Sequence, residues 1–137
     1  MKKVALLLLC AIPMLMACSK DPTNQAALEA AAKDNGFTVI KLDNAFQFTK
    51  GECTVGFEFL GTRADAERKF FAASNAIKNN HIGGVSSAAN MANYHYFSKT
   101  GGGQFFYATQ VESTLFLFDG SENCKDAVKS FADGIKY

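Results

Sequence analysis

Two apolar segments, residues 104–111 and 114–118, are separated only by Glu112-Ser113, and their pattern leaves neither face polar. A two-residue turn there sets Val111 opposite Thr114, Thr109 opposite Phe116 and Tyr107 opposite Phe118. One face of the hairpin then carries Phe105, Tyr107, Phe116 and Phe118, and the other carries Phe106, Ala108, Leu115 and Leu117. Such a hairpin belongs inside a sheet whose two faces are both covered, whether by helices of the same chain, by a partner or by a ligand. If Tyr94 and Tyr96 join the first face, its area exceeds the roughly few hundred Å² of contiguous apolar surface that a soluble monomer leaves bare.

The rest of the chain supplies elements that could provide this cover. Asp21-Pro22 reads as an N-cap followed by proline at the first helical position, with Gly36 closing a helix over residues 22–34 that turns Leu28 and Ala31 inward. Residues 37–42, 45–49 and 53–60 read as strands, separated by Asp43-Asn44 and by a turn at Gly51. Thr62 with Asp65 caps a helix over 63–79, whose stripe Ala66, Phe70, Ala73 and Ile77 has the spacing of one buried face. Residues 80–90, rich in Gly, Ser, Ala and Asn, lack periodicity and read as a mobile loop. Strands at 92–99, 104–111 and 114–118 and a helix over 121–134 complete the pattern. The sequence therefore predicts an α+β fold, an antiparallel β-meander packed with three helices in the order α-βββ-α-βββ-α.

The first residues have a different character. Lys2 and Lys3 precede an apolar run over 4–16 that suits a secretory signal better than a membrane span of roughly 20 residues. The run ends in Leu15-Met16-Ala17-Cys18, which resembles the lipobox of bacterial lipoproteins. That resemblance implies cleavage before Cys18 and a thioether-linked lipid on its sulfur. An ordinary secretory signal cut after Ala17 would show the same order of charge, apolar run and small residue. The expected organisation is a lipoprotein signal peptide at 1–17, a lipidated tether at 18–21 and a single α+β domain at 22–137. Ser19, where an inner-membrane retention signal prefers Asp, leans toward the outer membrane if the host has two.

Removing Lys2 and Lys3 leaves 12 basic residues against 13 acidic, a net charge of −1, so there is no electrostatic footprint for nucleic acid. About 120 mature residues make one domain able to bury a core without staples. Of the four cysteines, Cys10 lies in the signal segment and Cys18 is assigned to lipid, leaving Cys53 and Cys124. Cys53 shares strand parity with Val55, Phe57 and Phe59, and Cys124 shares a helical stripe with Val128, Phe131 and Ile135, so both point inward. Outside the cytosol they can form a disulfide; the alternative is two buried thiols.

Asn35-Gly36-Phe37-Thr38-Val39, Phe57-Glu58-Phe59 followed by Ala66 and Phe70, Asn93-Tyr94, and residues 111–118 with the Ser113-Thr114 turn resemble an uncharacterised family of small secreted lipoproteins of Gram-positive bacteria. The resemblance supports the architecture and an extracytoplasmic location, and implies no activity. Direct signs of chemistry are sparse. His81 and His95 form no HxH or HExxH arrangement, so no metal or cofactor is expected. Ser86 and Ser87 share a segment with His81 but lack a GxSxG elbow. Cys53 and Cys124 are not a CxxC pair, and Gly101-Gly102-Gly103 joins two strands rather than leading into a helix as a phosphate loop does. The expectation is a non-enzymatic binding module at the cell envelope. It would be held to the membrane by lipid and would contact a protein or a second copy of itself through Tyr94, Tyr96, Phe105, Tyr107, His95 and the 80–90 segment. The alternative is a small ligand carrier or hydrolase-like enzyme with a pocket near that segment.

Overall fold

The computed structural model describes residues 19–80 and 83–137. Cys18, the signal segment and His81 lie outside the described residues. The chain runs α1 (Gln25–Asp34), β1 (Thr38–Leu42), β2 (Ala45–Lys50), β3 (Cys53–Phe59), α2 (Arg63–Asn80), β4 (Val85–Asn90), β5 (Tyr94–Gly101), β6 (Gln104–Val111), β7 (Thr114–Ser121) and α3 (Lys125–Gly134). A short 3-10 turn, Glu122–Cys124, leads into α3. All seven strands form one antiparallel sheet in the order β1-β2-β3-β7-β6-β5-β4. The α+β class and the helix-strands-helix-strands-helix order stand as expected.

The central hairpin has the register its two-residue turn dictates: Val111 pairs with Thr114, Thr109 with Phe116 and Tyr107 with Phe118. Its two faces fall into two separate cores. On one, Phe105, Tyr107, Phe116 and Phe118 pack with Leu28 of α1 and Val128 and Phe131 of α3. On the other, Phe106, Ala108 and Leu115 pack with Phe70 and Ile77 of α2. Helices of the chain itself cover both faces.

Three local features differ from expectation. Helix α1 begins three residues later than Pro22, because Asn24 rather than Asp21 supplies the cap, its side chain accepting the Ala27 N–H at 2.9 Å. Glu122–Cys124 forms a 3-10 turn ahead of α3, capped by Ser121, which accepts from the Asn123 N–H. Most consequentially, residues 85–90 of the expected loop form an edge strand, β4, paired along its whole length with β5 from Val85–Thr100 to Asn90–His95. Its weakly apolar sequence follows from its position: an edge strand beyond the helices has little core to reach, so no strong alternation is required of it.

The entry to β4 depends on two glycines pressed together. Gly84 has φ +86°, and a Cβ there would land on the Thr100 carbonyl oxygen; a Cβ on Gly101 would come within 2.7 Å of the Gly84 Cα. Gly84→Ala is expected to fray β4, seen as a loss of amide exchange protection over 85–90 while β6 and β7 keep theirs.

Cys53, at the start of β3, and Cys124, just before α3, are joined in a disulfide with a Cα–Cα distance of 5.6 Å and a sequence separation of 71. Closing a loop of that size in the unfolded chain contributes ~4 kcal/mol on the chain-entropy account. Cys53→Ser with Cys124→Ser should lower the melting temperature by roughly 10 °C or more. Thermal unfolding with and without reductant checks this: reductant should lower the wild-type midpoint and leave that of the double variant unchanged.

Candidate functional site: an open groove and a clasped N-terminal segment

Seven strands spaced about 4.8 Å apart make a sheet roughly 29 Å wide, while two helices of about 10 Å diameter cover only some 20 Å of it. On the side of α1 and α3, this shortfall falls on β4 and β5. An open groove of about 580 Å³ lies there, floored by Tyr96, Ser98 and Thr100 of β5 and edged by Val85 and Ser87 of β4. Glu122, Lys125 and Lys129 form its opposite wall, on the 3-10 turn and α3. Val85 is 78% exposed. The Tyr96 hydroxyl donates to Ser98 Oγ at 2.7 Å, and the Lys125 ammonium stands 5.9 Å from the Phe105 ring centroid. The groove thus offers hydroxyls, the two aromatic rings of Tyr96 and Phe105, and two cations beside one carboxylate.

The five residues read from sequence as a binding face do not form one surface. Phe105 and Tyr107 are buried, Tyr107 at 5% exposure, under the helices that cover this face. Alternation makes a face apolar without saying what covers it, and α1 and α3 supply apolar stripes that fit. Tyr96 is half-buried and reaches the groove. Tyr94 lies beneath the Lys20 ammonium, 5.0 Å from its ring centroid.

His95 points to the opposite side of the sheet, toward α2. Its ring lies 4.8 Å from that of Phe71 and 5.7 Å from that of Phe70. Nδ1 is 2.8 Å from Asn90 Oδ1, and Nε2 is 3.5 Å from Glu67 Oε1. The same carboxylate oxygen accepts from Arg63 Nε at 2.8 Å, and that hydrogen bond is the main reason the Glu67 carboxyl sits below the usual carboxylate range. Arg63 Nη2 in turn donates to the Ala92 carbonyl at 2.5 Å. This row ties the β4–β5 turn to α2. Ser86 is four residues along β4 from Asn90, roughly 13 Å away, and Ser87 faces the other side, so neither serine pairs with His95. Among the described residues, no group of three or more His, Cys, Asp and Glu is placed to hold a metal.

The second constellation is where the chain enters the domain. Lys20 N–H donates to Asn93 Oδ1 at 3.0 Å, and Asn93 Nδ2 donates to the Lys20 carbonyl at 2.6 Å, so one amide side chain clasps the backbone on both sides of Lys20. Lys20 Nζ donates to the Lys136 carbonyl at 3.0 Å. Partial burial lowers the Lys20 pKa, opposed by attraction from Asp133. Thr23 N–H donates to the Tyr137 hydroxyl at 3.0 Å, which also contacts the Thr114 hydroxyl. Asn93 and Tyr137 were not singled out from sequence as site residues. Their partners are 73 and 114 positions away, and no spacing rule reaches that far.

Neither a protein-family profile nor a curated protein matches the chain. Among solved structures, it is similar to a crystal structure of a GTP-binding regulator from Thermotoga maritima, with a TM-score of 0.52 and 11% identity over 85% of this chain and 90% of that one. At that identity the likeness shows the fold alone. Among the described residues, no helix is long and apolar enough to cross a membrane.

Burial pushes the Tyr107 hydroxyl up to about 12 from an ordinary value of 10.0. Both states hold the proton below pH 10, so this group sets no pH dependence there; above it the unfolded chain ionises first. Stability should therefore fall as pH rises from about 10 toward 12, by up to ~1.4 kcal/mol per pH unit from this group. Urea titrations across that range should show a shallower decline in Tyr107→Phe.

Proposed function

We propose that the chain is a lipid-anchored, non-enzymatic binding module of the bacterial cell envelope, fastened at Cys18 and engaging a polypeptide partner along β4 and the adjoining groove. The observation that carries the anchoring is the sequence of features at the N-terminus: a cationic start, an apolar run, then Leu15-Met16-Ala17-Cys18, with Lys20, two residues on, already bound to the domain. The Cys53–Cys124 disulfide suits an oxidising compartment outside the cytosol. Two acyl chains contribute ~0.8 kcal/mol per buried methylene, which holds a domain stably at a bilayer.

The binding part of the reading rests on β4. Its outer edge offers six mostly exposed residues, Val-Ser-Ser-Ala-Ala-Asn, with no charge or proline among them to block the addition of a further strand. The partner surface is thereby moved from the buried aromatic face to the margin of the sheet. A small-ligand carrier is the second reading, favoured by the groove volume, which lies within the roughly 300–1,000 Å³ range of small-molecule sites.

Intact-mass spectrometry of protein from the native membrane tests the anchor. A mature start at Cys18 carrying diacylglycerol is expected, with Cys18→Ala abolishing the lipid; an unmodified residue 18 or another start removes the reading. For the groove, Val85→Glu with Ser87→Glu should abolish in-membrane crosslinking to the partner, whereas Ile40→Ser on the far edge strand should not. Crosslinks indifferent to both changes would move the contact elsewhere.

A further inference from the structure

The seat of the tether fixes an orientation as well as a point of attachment. Strand directions bring four connections to one end of the sheet: Asp43-Asn44, residues 60–62, residues 91–93 and Glu112-Ser113. Hydrogen bonds knit three of them together, Leu60 N–H to the Ser113 carbonyl and Glu112 N–H to the Asn93 carbonyl. Asn93, which clasps Lys20, belongs to this end. So do two exposed apolar side chains, Met91 just after β4 and Leu42 at the end of β1, 41% and 47% exposed. The groove lies toward the other end: Tyr94 heads β5 at the tether, while Thr100 in the groove floor is six residues on, about 20 Å away.

Cys18 precedes Lys20 by two residues, a reach of at most about 7 Å of extended chain. We propose that the end of the sheet containing Met91, Asn93 and Glu112 lies against the lipid surface in which Cys18 is anchored, holding the groove at the end turned away from the bilayer. This rests on Cys18 being the lipid attachment point. With Lys20 fixed to Asn93, the tether is too short for the domain to turn over: the far end would have to travel about 20 Å on a leash roughly a third as long. Charges at the near end are mixed, with Lys20, Arg63 and Lys136 among Asp21, Asp43 and Glu112. The contact therefore draws on the covalent anchor and apolar tips rather than on attraction to anionic headgroups.

The test uses the mature chain coupled through Cys18 to a maleimide phospholipid, with Cys53 and Cys124 in their disulfide, in nanodiscs carrying a gadolinium-headgroup lipid. Because the ends are about 20 Å apart, paramagnetic relaxation enhancement at amides 91–93 and 112–113 should exceed that at 102–103 at least about tenfold. The ratio should hold in phosphatidylcholine alone and with phosphatidylglycerol added. A flexible Gly-Ser insert of about ten residues between Cys18 and Ser19 should bring the two ends within about twofold, and so should Asn93→Ala. The insert leaves every domain contact in place, so it decides the matter even if Asn93→Ala fails to fold. Equal enhancement at both ends of the wild type, or a gradient that survives the insert, overturns the proposal. Chemical coupling separates this outcome from native lipidation, which the mass of the native protein decides independently.

Discussion

Everything in this molecule is arranged around a hairpin that carries apolar side chains on both of its faces. With aromatic rings on one face of β6–β7 and aliphatic and phenylalanine side chains on the other, the pair must lie at the middle of the sheet with helices above and below. The other strands flank it in the order that requirement allows, β3 beside β7 and β5 beside β6. The rings of Phe116 and Tyr107 meet edge to face at 5.7 Å, and Phe131 of α3 meets Phe116 the same way at 5.4 Å, so the helix is fastened onto the hairpin by aromatic geometry as well as by buried area.

Where cover ends, function can begin. The polar margin of the fold is a matter of width: α1 and α3 lie over β1–β3, β7 and β6, and the remaining strands are left to hydroxyls, lysines and solvent. On the α2 side the same reasoning accounts for the other margin, where β2 and β3 present Gln47, Thr54 and Glu58 on the helix's own face of the sheet but at the border of its cover. Glu58 accepts from Lys69 of α2 at 2.5 Å across that border.

The parts of the fold legible in the sequence were those set by neighbours along the chain. The Glu112-Ser113 turn fixed the register, Thr62 and Asp65 form the cap read from their spacing, with Asp65 N–H donating to Thr62 Oγ1 at 3.1 Å, and the inward parity of Cys53 and Cys124 brought them together. Edge strand β4 was illegible because Val85–Asn90 carries no alternation, and only pairing with β5 makes it a strand. The groove could not be read because it depends on how far a helix reaches across a sheet, a quantity with no local signature. The clasp of Asn93 on Lys20 joins residues 73 positions apart by amide geometry that many asparagines could offer. In the sequence, Asn93-Tyr94 marks a feature of the fold and carries no sign that it is the place where the entering chain is held.

The Cys53–Cys124 bond has a consequence for the integrity of the molecule under proteases. It bridges β3 to the start of α3, and so encloses α2, β4, β5, β6 and β7. A peptide bond severed near Gly83-Gly84, outside any helix or strand, would divide the backbone without separating the pieces. The two fragments would stay one covalent body, interleaved in a common sheet, and would part on a gel only after a thiol was added.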